Sequence, residues 1–447
     1  MPLKHSPRSS KFLFLSLLLA TAAASAADFN VGQPLESALT QARAKRVPVV
    51  AEFHAPWCYS CYYMARNVLN GPEWEQVQRS SVRLELDADS REGAHWMQTW
   101  DVKVLPAYVV LDEQGRELGR ILGEQTRPEF YRRLSAILRQ SGTLETLQAQ
   151  AVDASATSVA AVRDSLRTYH ARGEAAAGLA WFETLPPPVL SAAVRDAATA
   201  LWVSRLELLR ASAANDTPAC LKAGRTVLSG AIGCERAYEL PRYLACAKTL
   251  PDEQRLPLLK TQADRLQTQL DQRVFADGGR CADERSLVLA AADLYRDLND
   301  TSAESLTLLR AVADARTRLG ADVATDRNLA DNIRVYLERA NRPEEYAAWM
   351  QRLIAAFPGD YVYPYRYGKW LLAQNRAADA LPYLDAAAPK SYGANRLKVA
   401  QQQVQALVVL GQVEKARSVG ESVLKANGPW FAEDAAKLRE LIPARTS

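Results

Sequence analysis

Two cysteines one helical turn apart, in the stretch Trp57-Cys58-Tyr59-Ser60-Cys61, are the residues of this sequence best placed to do chemistry. The apolar run before them, residues 47–54, predicts a buried strand, and the residues after them, to about Leu69, have the periodicity of a helix. A helix N-terminus at this junction would stabilise the thiolate of the first cysteine. The second cysteine is close enough to attack a mixed disulfide formed by the first. The motif therefore predicts thiol–disulfide exchange.

Two other uses of a C-x-x-C pair have to be weighed against this one. A zinc site needs four ligands, and no second C-x-x-C or H-x-x-H lies nearby, since His54 and His95 are lone residues. An inert structural disulfide would leave Trp57 and a proline at position 106 as coincidences. The sequence therefore favours redox chemistry and predicts neither a metal nor a cofactor.

The surrounding pattern predicts the elements that hold the pair. Glu52 lies in the otherwise apolar strand before the cysteines, and Pro106 precedes a second strand over 107–111. A turn at 112–115 leads to a predicted edge strand over 116–123. Over roughly residues 30–140 this arrangement resembles the thioredoxin superfamily, and most closely the C-terminal periplasmic domain of DsbD. The motifs that carry the resemblance are Phe53-His54-Ala55-Pro56-Trp57-Cys58-Tyr59-Ser60-Cys61 and Asp101-Val102-Lys103-Val104-Leu105-Pro106.

The resemblance implies a role for each residue of the candidate site. Cys58 would be the attacking thiol, Cys61 the resolving thiol, and Pro106 a cis-proline that faces them. Glu52 would be a buried acid that moves a proton for Cys61, because burial raises the pKa of a carboxyl into the range useful near neutral pH. A cis-proline opposite the cysteines would leave the backbone beside it free to pair with an extended substrate. The candidate substrate-binding residues are Trp57, Tyr59 and Leu105.

The first 26 residues have the features of a secretory signal peptide. Basic residues open the chain, Phe12–Ala20 form an apolar core, and Ala24-Ser25-Ala26 supplies small residues for cleavage. The apolar run is short for a membrane span, although retention as an N-terminal anchor is the alternative. The sequence thus predicts a periplasmic protein with no membrane span after cleavage. With 55 basic and 51 acidic residues and no basic cluster, it also predicts no nucleic-acid partner.

Four further cysteines, Cys220, Cys234, Cys246 and Cys281, follow in the later part of the chain. An even number in an exported protein predicts two structural disulfides, for which three pairings are open. A second redox relay is the alternative, although none of the four lies in a C-x-x-C.

At 447 residues the chain needs a second region beyond residues 27–142. From about Thr143, alanine and leucine recur at helical spacing, which predicts an all-α region over 143–330 and tetratricopeptide-like repeats over 331–447. The repeat prediction rests on three similar stretches, at 337–347, 371–381 and 407–417. Stacked helical hairpins commonly bind peptides or proteins.

The predicted fold is therefore an α/β thioredoxin-like domain followed by an all-α helical-hairpin region. The predicted function is thiol–disulfide exchange on protein substrates, with reduction of substrate disulfides favoured over oxidation of substrate thiols. A redox partner would recharge Cys58 and Cys61. In this interpretation the helical region recruits substrate. The alternative is a non-catalytic binding or assembly factor that uses the same fold as a scaffold.

Overall fold

A small mixed sheet opens the described part of the chain, which is residues 35–139, 143–230, 232–276 and 280–444 of a computed structural model. The predicted signal peptide lies outside these ranges. In spatial order the sheet is β2-β1-β3-β4, with β1 parallel to β2 and antiparallel to β3. Its strands are β1 (Val49–His54), β2 (Val82–Asp87), β3 (Ala107–Leu111) and β4 (Glu117–Leu122).

The central strand β1 is buried along its whole length, because helices cover both faces of this sheet. Side chains alternate between the faces of a strand. Phe53 accordingly packs with Leu84 on one face, whereas Val50 packs with Met64 and Tyr108 on the other. The helices of this part are α1 (Leu35–Lys45), α2 (Tyr59–Asn67), α3 (Gly71–Ser80), α4 (Arg91–Thr99) and α5 (Arg127–Arg139).

The rest of the described chain is helical, as the sequence predicts from about Thr143 onward. The first of its helices are α6 (Leu144–Ala149), α7 (Ala156–Arg172), α8 (Ala175–Glu183), α9 (Pro187–Arg195), α10 (Ala197–Ala213), α11 (Thr217–Ser229), α12 (Arg236–Ala247) and α13 (Asp252–Arg273). They continue as α14 (Glu284–Asp297), α15 (Thr301–Leu319), α16 (Arg327–Arg339), α17 (Pro343–Ala356), α18 (Val362–Ala373), α19 (Ala377–Ala387), α20 (Gly393–Val409), α21 (Val413–Asn427) and α22 (Ala432–Leu441). None of the helices in the described ranges is long and apolar enough to cross a membrane.

Short turns with one left-handed residue join the later helices into hairpins. Asn341, Asn375 and Gly411 hold that position between α16 and α17, α18 and α19, and α20 and α21, with φ of 51°, 59° and 73°. Asparagine and glycine adopt this conformation more readily than other residues do. A left-handed residue also occurs at Asn215, between α10 and α11, and at Asn299, between α14 and α15, within the predicted all-α region over 143–330. Whether 331–447 is a true tetratricopeptide array stays a prediction, as do the domain limits at 142 and 330.

The four later cysteines form two disulfides within the helical region, Cys220–Cys246 and Cys234–Cys281. The first joins α11 to α12. The second joins the short turn before α12 to the segment before α14. The structure thus selects one of the three pairings that the sequence left open.

Candidate active site

Cys58 caps the N-terminus of α2 and is joined to Cys61 by a disulfide. Its Sγ accepts a hydrogen bond from the backbone N–H of Cys61 at 3.1 Å. A donor of this kind and the positive end of the helix dipole both favour a thiolate at this position once the disulfide is reduced. The arrangement therefore suits Cys58 as the attacking thiol.

The loop before β3 lies beside this disulfide. The peptide bond between Leu105 and Pro106 is cis, as the family resemblance implies. The carbonyl oxygen of Pro106 accepts a hydrogen bond from the backbone N–H of Gly123 at 2.8 Å, which ties the loop to the end of β4. The Leu105 side chain packs against the cluster formed by Ala55 and the two cysteines. The strand, the helix and the loop that precedes β3 thus converge on one disulfide.

Comparison with known proteins finds a match for part of the chain. Residues 35–138 match the family model described as a thioredoxin-like domain. These residues form a thioredoxin-like domain. It is similar to part of the thiol:disulfide interchange protein DsbD of Cronobacter sakazakii, with 31% identity over 109 residues, covering 24% of this chain and 19% of that protein. It is also similar to the thioredoxin-like protein HCF164 of Arabidopsis thaliana, with 28% identity over 105 residues, covering 23% of this chain and 38% of that protein.

Among solved structures, a thioredoxin from Thermus thermophilus is 27% identical, with a TM-score of 0.23, and covers 24% of this chain and 87% of its own. The match to the two relatives above spans less than two fifths of either protein. The similarities to these two relatives concern the thioredoxin-like domain.

The redox motif of the thioredoxin-like domain is covered by the helical region, which the sequence did not predict. Cys58 is 3% exposed and Cys61 is 7% exposed. Arg366 of α18 donates a hydrogen bond to the backbone oxygen of Trp57 at 3.3 Å, and Asn328 of α16 donates one to the backbone oxygen of Tyr59 at 3.2 Å. Both residues flanking Cys58 are therefore held by the helical region.

Tyr59 of the motif and Tyr62, the residue that follows the motif, are also in contact with this region. The guanidinium of Arg285, from α14, lies over the ring of Tyr59, and that of Arg327, from α16, lies 4.2 Å from the ring centre of Tyr62. Burial raises the pKa of both phenols. Trp57 keeps 36% of its surface exposed. The predicted substrate-binding roles of Trp57, Tyr59 and Leu105 stay predictions. In this structure Tyr59 contacts helices α14 and α16 of the same chain.

A buried carboxylate organises the arginines of this contact. Asp331 of α16 forms ion pairs with Arg285 at 2.8 Å, Arg334 at 2.8 Å and Arg366 at 2.7 Å. Burial alone would raise its pKa, but the three guanidiniums hold the pKa of Asp331 well below its usual range. Asp331 thereby fixes two of the side chains, Arg285 and Arg366, that reach the redox motif.

Glu52 is buried, as predicted, and it has a partner that the sequence analysis missed. Its carboxylate accepts hydrogen bonds from Arg83 Nη2 at 2.7 Å and Nε at 3.2 Å. Arg83 lies on β2 and also pairs with Glu85. The parallel pairing of β1 with β2, which brings these residues together, could not be read from local spacing. A role of Glu52 as proton carrier for Cys61 stays a prediction.

A second buried acid, Glu124, contacts the motif directly. The sequence analysis did not predict it as a site residue. Its carboxylate accepts a hydrogen bond from the side chain of Ser60, between the two cysteines. It also accepts hydrogen bonds from the backbone N–H of Asp283 at 2.9 Å and from Asn328 Nδ2 at 3.3 Å. Burial, followed by the charge of Asp283, raises the pKa of Glu124 to about 8. No sequence signal marks it, since it stands in a polar stretch after β4.

We expect Glu124 to make the stability of the protein depend on pH. A carboxyl whose pKa is raised by folding stabilises the folded state fully below its unfolded pKa, and this contribution is lost as the pH rises toward the folded value. The loss should therefore fall between about pH 4.5 and pH 8, and for a buried group it is on the order of 2–4 kcal/mol. Glu124→Gln should remove this slope. Urea unfolding at pH 5, 6, 7 and 8 measures it.

The exposed Glu440 supplies the control for this measurement. Glu440→Gln should leave the slope unchanged. A Glu124→Gln variant with the wild-type slope would show that another group carries the pH dependence. The charged and titratable groups that act on Glu124, and that both variants preserve, are Asp283, Arg285, Tyr59, Tyr63, Tyr108 and Tyr238.

Proposed function

We propose that this protein is a periplasmic thiol–disulfide oxidoreductase that acts on protein substrates through Cys58 and Cys61, working as a reductase, with the helical region recruiting substrate. The observation that carries the proposal is the Cys58–Cys61 disulfide at the N-terminus of α2, with the Cys61 N–H directed at Cys58 Sγ. The relative named as a thiol:disulfide interchange protein supports the same chemistry.

In the reducing direction the Cys58 thiolate attacks one sulfur of a substrate disulfide. The substrate S–S bond breaks, a Cys58–substrate disulfide forms, and the departing substrate thiolate takes up a proton. The Cys61 thiol loses its proton and attacks Cys58 Sγ, which releases the second substrate thiolate and closes the Cys58–Cys61 disulfide. Two electrons have then passed to the substrate. A partner dithiol must return them, so a redox partner is part of the proposal.

The reduction potential of the Cys58–Cys61 pair tests the direction. It is measured by equilibrating the protein with dithiothreitol buffers and quantifying the alkylated Cys58–Cys61 peptide by mass spectrometry. A potential of about −270 mV, as in thioredoxin, supports a reductase, whereas one of about −120 mV, as in DsbA, would reverse the direction.

A non-catalytic binding or assembly factor is the second candidate, and the burial of both cysteines favours it. Turnover separates the two. An oxidoreductase should catalyse the reduction of a small disulfide, such as oxidised glutathione, in the presence of a reductant that recharges the pair. A scaffold should show the same rate as a Cys58→Ser variant.

The location is a separate part of the proposal, because it rests on residues 1–26. We expect the protein in the periplasmic fraction of a Gram-negative host, with an N-terminus at Ala27. Edman sequencing of the purified protein measures this, and a chain that still begins at Met1 in the membrane fraction would indicate a retained anchor.

A further inference from the structure

We propose that the helical region is a cover closed over the Cys58–Cys61 pair, and that it must lift from the redox motif before a protein substrate can reach Cys58. The inference rests on the proposed exchange function and adds to it a closed state and an open state. The helical region would then control access to the site as well as recruit substrate.

Access to the attacking sulfur is restricted in the closed state. Exchange requires a substrate sulfur to approach Cys58 Sγ directly. Cys58 is 3% exposed, and its two neighbours are held by Arg366 and Asn328 through their backbone oxygens. A folded protein cannot bring a sulfur to Cys58 while these contacts persist.

The cover also closes the motif from a further side. The loop after β2 carries Asp89, whose Oδ2 accepts a hydrogen bond from Trp57 Nε1 at 2.7 Å. The first residue of α20, Gly393, lies so close to this loop that a Cβ atom on it would be 1.8 Å from the backbone oxygen of Asp89. Helices α16, α18 and α20 thus all bear on the motif or on the residue that holds Trp57.

The contact between the helical region and the redox motif is made by polar and charged side chains, which suits a surface that separates and closes again. Contacts of this kind within a chain resemble transient protein–protein interfaces. Two carboxyls buried in the contact, Glu124 and Asp89, have pKa values raised by burial, to about 8 and about 6 respectively. Closure therefore works against the ionisation of both groups. A contact formed at this cost can be opened by a partner that offers a better one.

The thioredoxin-like domain would stay attached when the cover lifts, because it has a second set of contacts with earlier helices. Arg133 of α5 pairs with Glu235 at 2.6 Å, and Glu117 of β4 pairs with Arg172 of α7 at 3.4 Å. These pairs involve neither the redox motif nor helices α16, α18 and α20. These ion pairs can serve as a hinge while the contact at the redox motif opens.

A substitution at Gly393 tests the cover, because an added side chain there would push α20 away from the loop that carries Asp89. Gly393→Ala places a methyl group against the Asp89 backbone and should lift α20 from the loop that holds Trp57. Gly411→Ala is the matched control, because Gly411 also has a positive φ, 73° against 55°, but no atom lies within 4 Å of the added carbon. Both variants therefore carry backbone strain, and only one pushes on the cover.

The oxidised protein is mixed either with dithiothreitol or with reduced thioredoxin, whose two thiols become a disulfide as Cys58–Cys61 becomes two thiols. The reduced pair is quantified by alkylation and peptide mass spectrometry. We expect Gly393→Ala to raise the rate with reduced thioredoxin by about tenfold or more. The rate with dithiothreitol should rise less, because a small dithiol needs less room. Gly411→Ala should behave as the wild type does.

Arg366→Ala is a second variant, in case the wedge prevents folding. It removes the hydrogen bond to Trp57 while Asp331 keeps Arg285 and Arg334. Its control is Arg376→Ala, which removes an exposed pair with Asp379 in the same hairpin. Equal rates with reduced thioredoxin for the wild type and both cover variants would overturn the cover. Failure of both reductants on every variant would overturn the exchange function, and the cover with it.

Discussion

Replacing Cys58 with serine is expected to abolish disulfide exchange, with a loss of at least about a thousandfold, because the nucleophile is then missing. A hydroxyl in the place of the Cys58 thiol can neither form the mixed disulfide nor close the pair with Cys61. The measurement is the turnover of oxidised glutathione by the purified protein, with the Cys58→Ser rate compared with that of the uncatalysed reaction.

Cys61→Ser should have a different effect, and this difference assigns the roles. Without a resolving thiol, the mixed disulfide on Cys58 persists and can be isolated with its substrate. A pair of variants in which Cys58→Ser traps substrate and Cys61→Ser does not would reverse the assignment. Equal loss with no trapped species in either variant would contradict exchange through a mixed disulfide. A trap on the full chain should also work better when combined with Gly393→Ala, since the open cover admits the substrate.

The chemistry of this site was readable from the sequence because its parts are local. A buried strand, a cysteine at a helix start and a second cysteine one turn later occupy a continuous stretch, and their geometry follows from secondary structure alone. The cis peptide before Pro106 was predicted from the family resemblance and is present. The all-α character of the later chain followed from helical periodicity.

The cover was not readable, because its contacts join residues far apart along the chain. Asn328 and Arg366 meet the motif at separations of 269 and 309 residues. Each stands in an amphipathic helix, where a polar residue is ordinarily expected to face water. The partners of Glu52 and Glu124 could not be predicted for the same reason. The contact of Arg83 with Glu52 depends on strand pairing, and that of Asp283 with Glu124 depends on the packing of the helical region. Local spacing predicts the elements, but not which of them touch.

These long-range contacts change what the helical region is expected to do. As a separate arm it would only raise the local concentration of a substrate near the redox pair. As a cover it also sets whether the pair can react. Recruitment and opening then become a single event if the substrate binds the same helices that hold the motif. A protein substrate would gain access to Cys58 by competing with the contacts of Arg366 and Asn328.

Asp331→Ala is expected to have the largest effect on stability, lowering the free energy of unfolding of the helical region by about 3–5 kcal/mol. Asp331 is 1% exposed and pairs with three arginines. Its removal leaves these guanidiniums in a buried contact without their shared counter-charge, and an uncompensated buried charge is costly. Urea unfolding followed by circular dichroism measures the change. Asp379→Ala, at an exposed ion pair with Arg376, is the control and should cost less than about 1 kcal/mol.

The pH dependence of the same variant identifies the cause of the loss. A carboxyl whose pKa is lowered by folding contributes stability that is present above its unfolded pKa and is lost as the pH falls toward the folded value. Since the pKa of Asp331 lies well below its usual range, the wild type should lose this contribution progressively below about pH 4, whereas Asp331→Ala should not. The difference between the two proteins should therefore narrow on acidification. A constant difference at every pH would mean that the packing of the side chain, and not its charge, holds Arg285 and Arg366 against the redox motif.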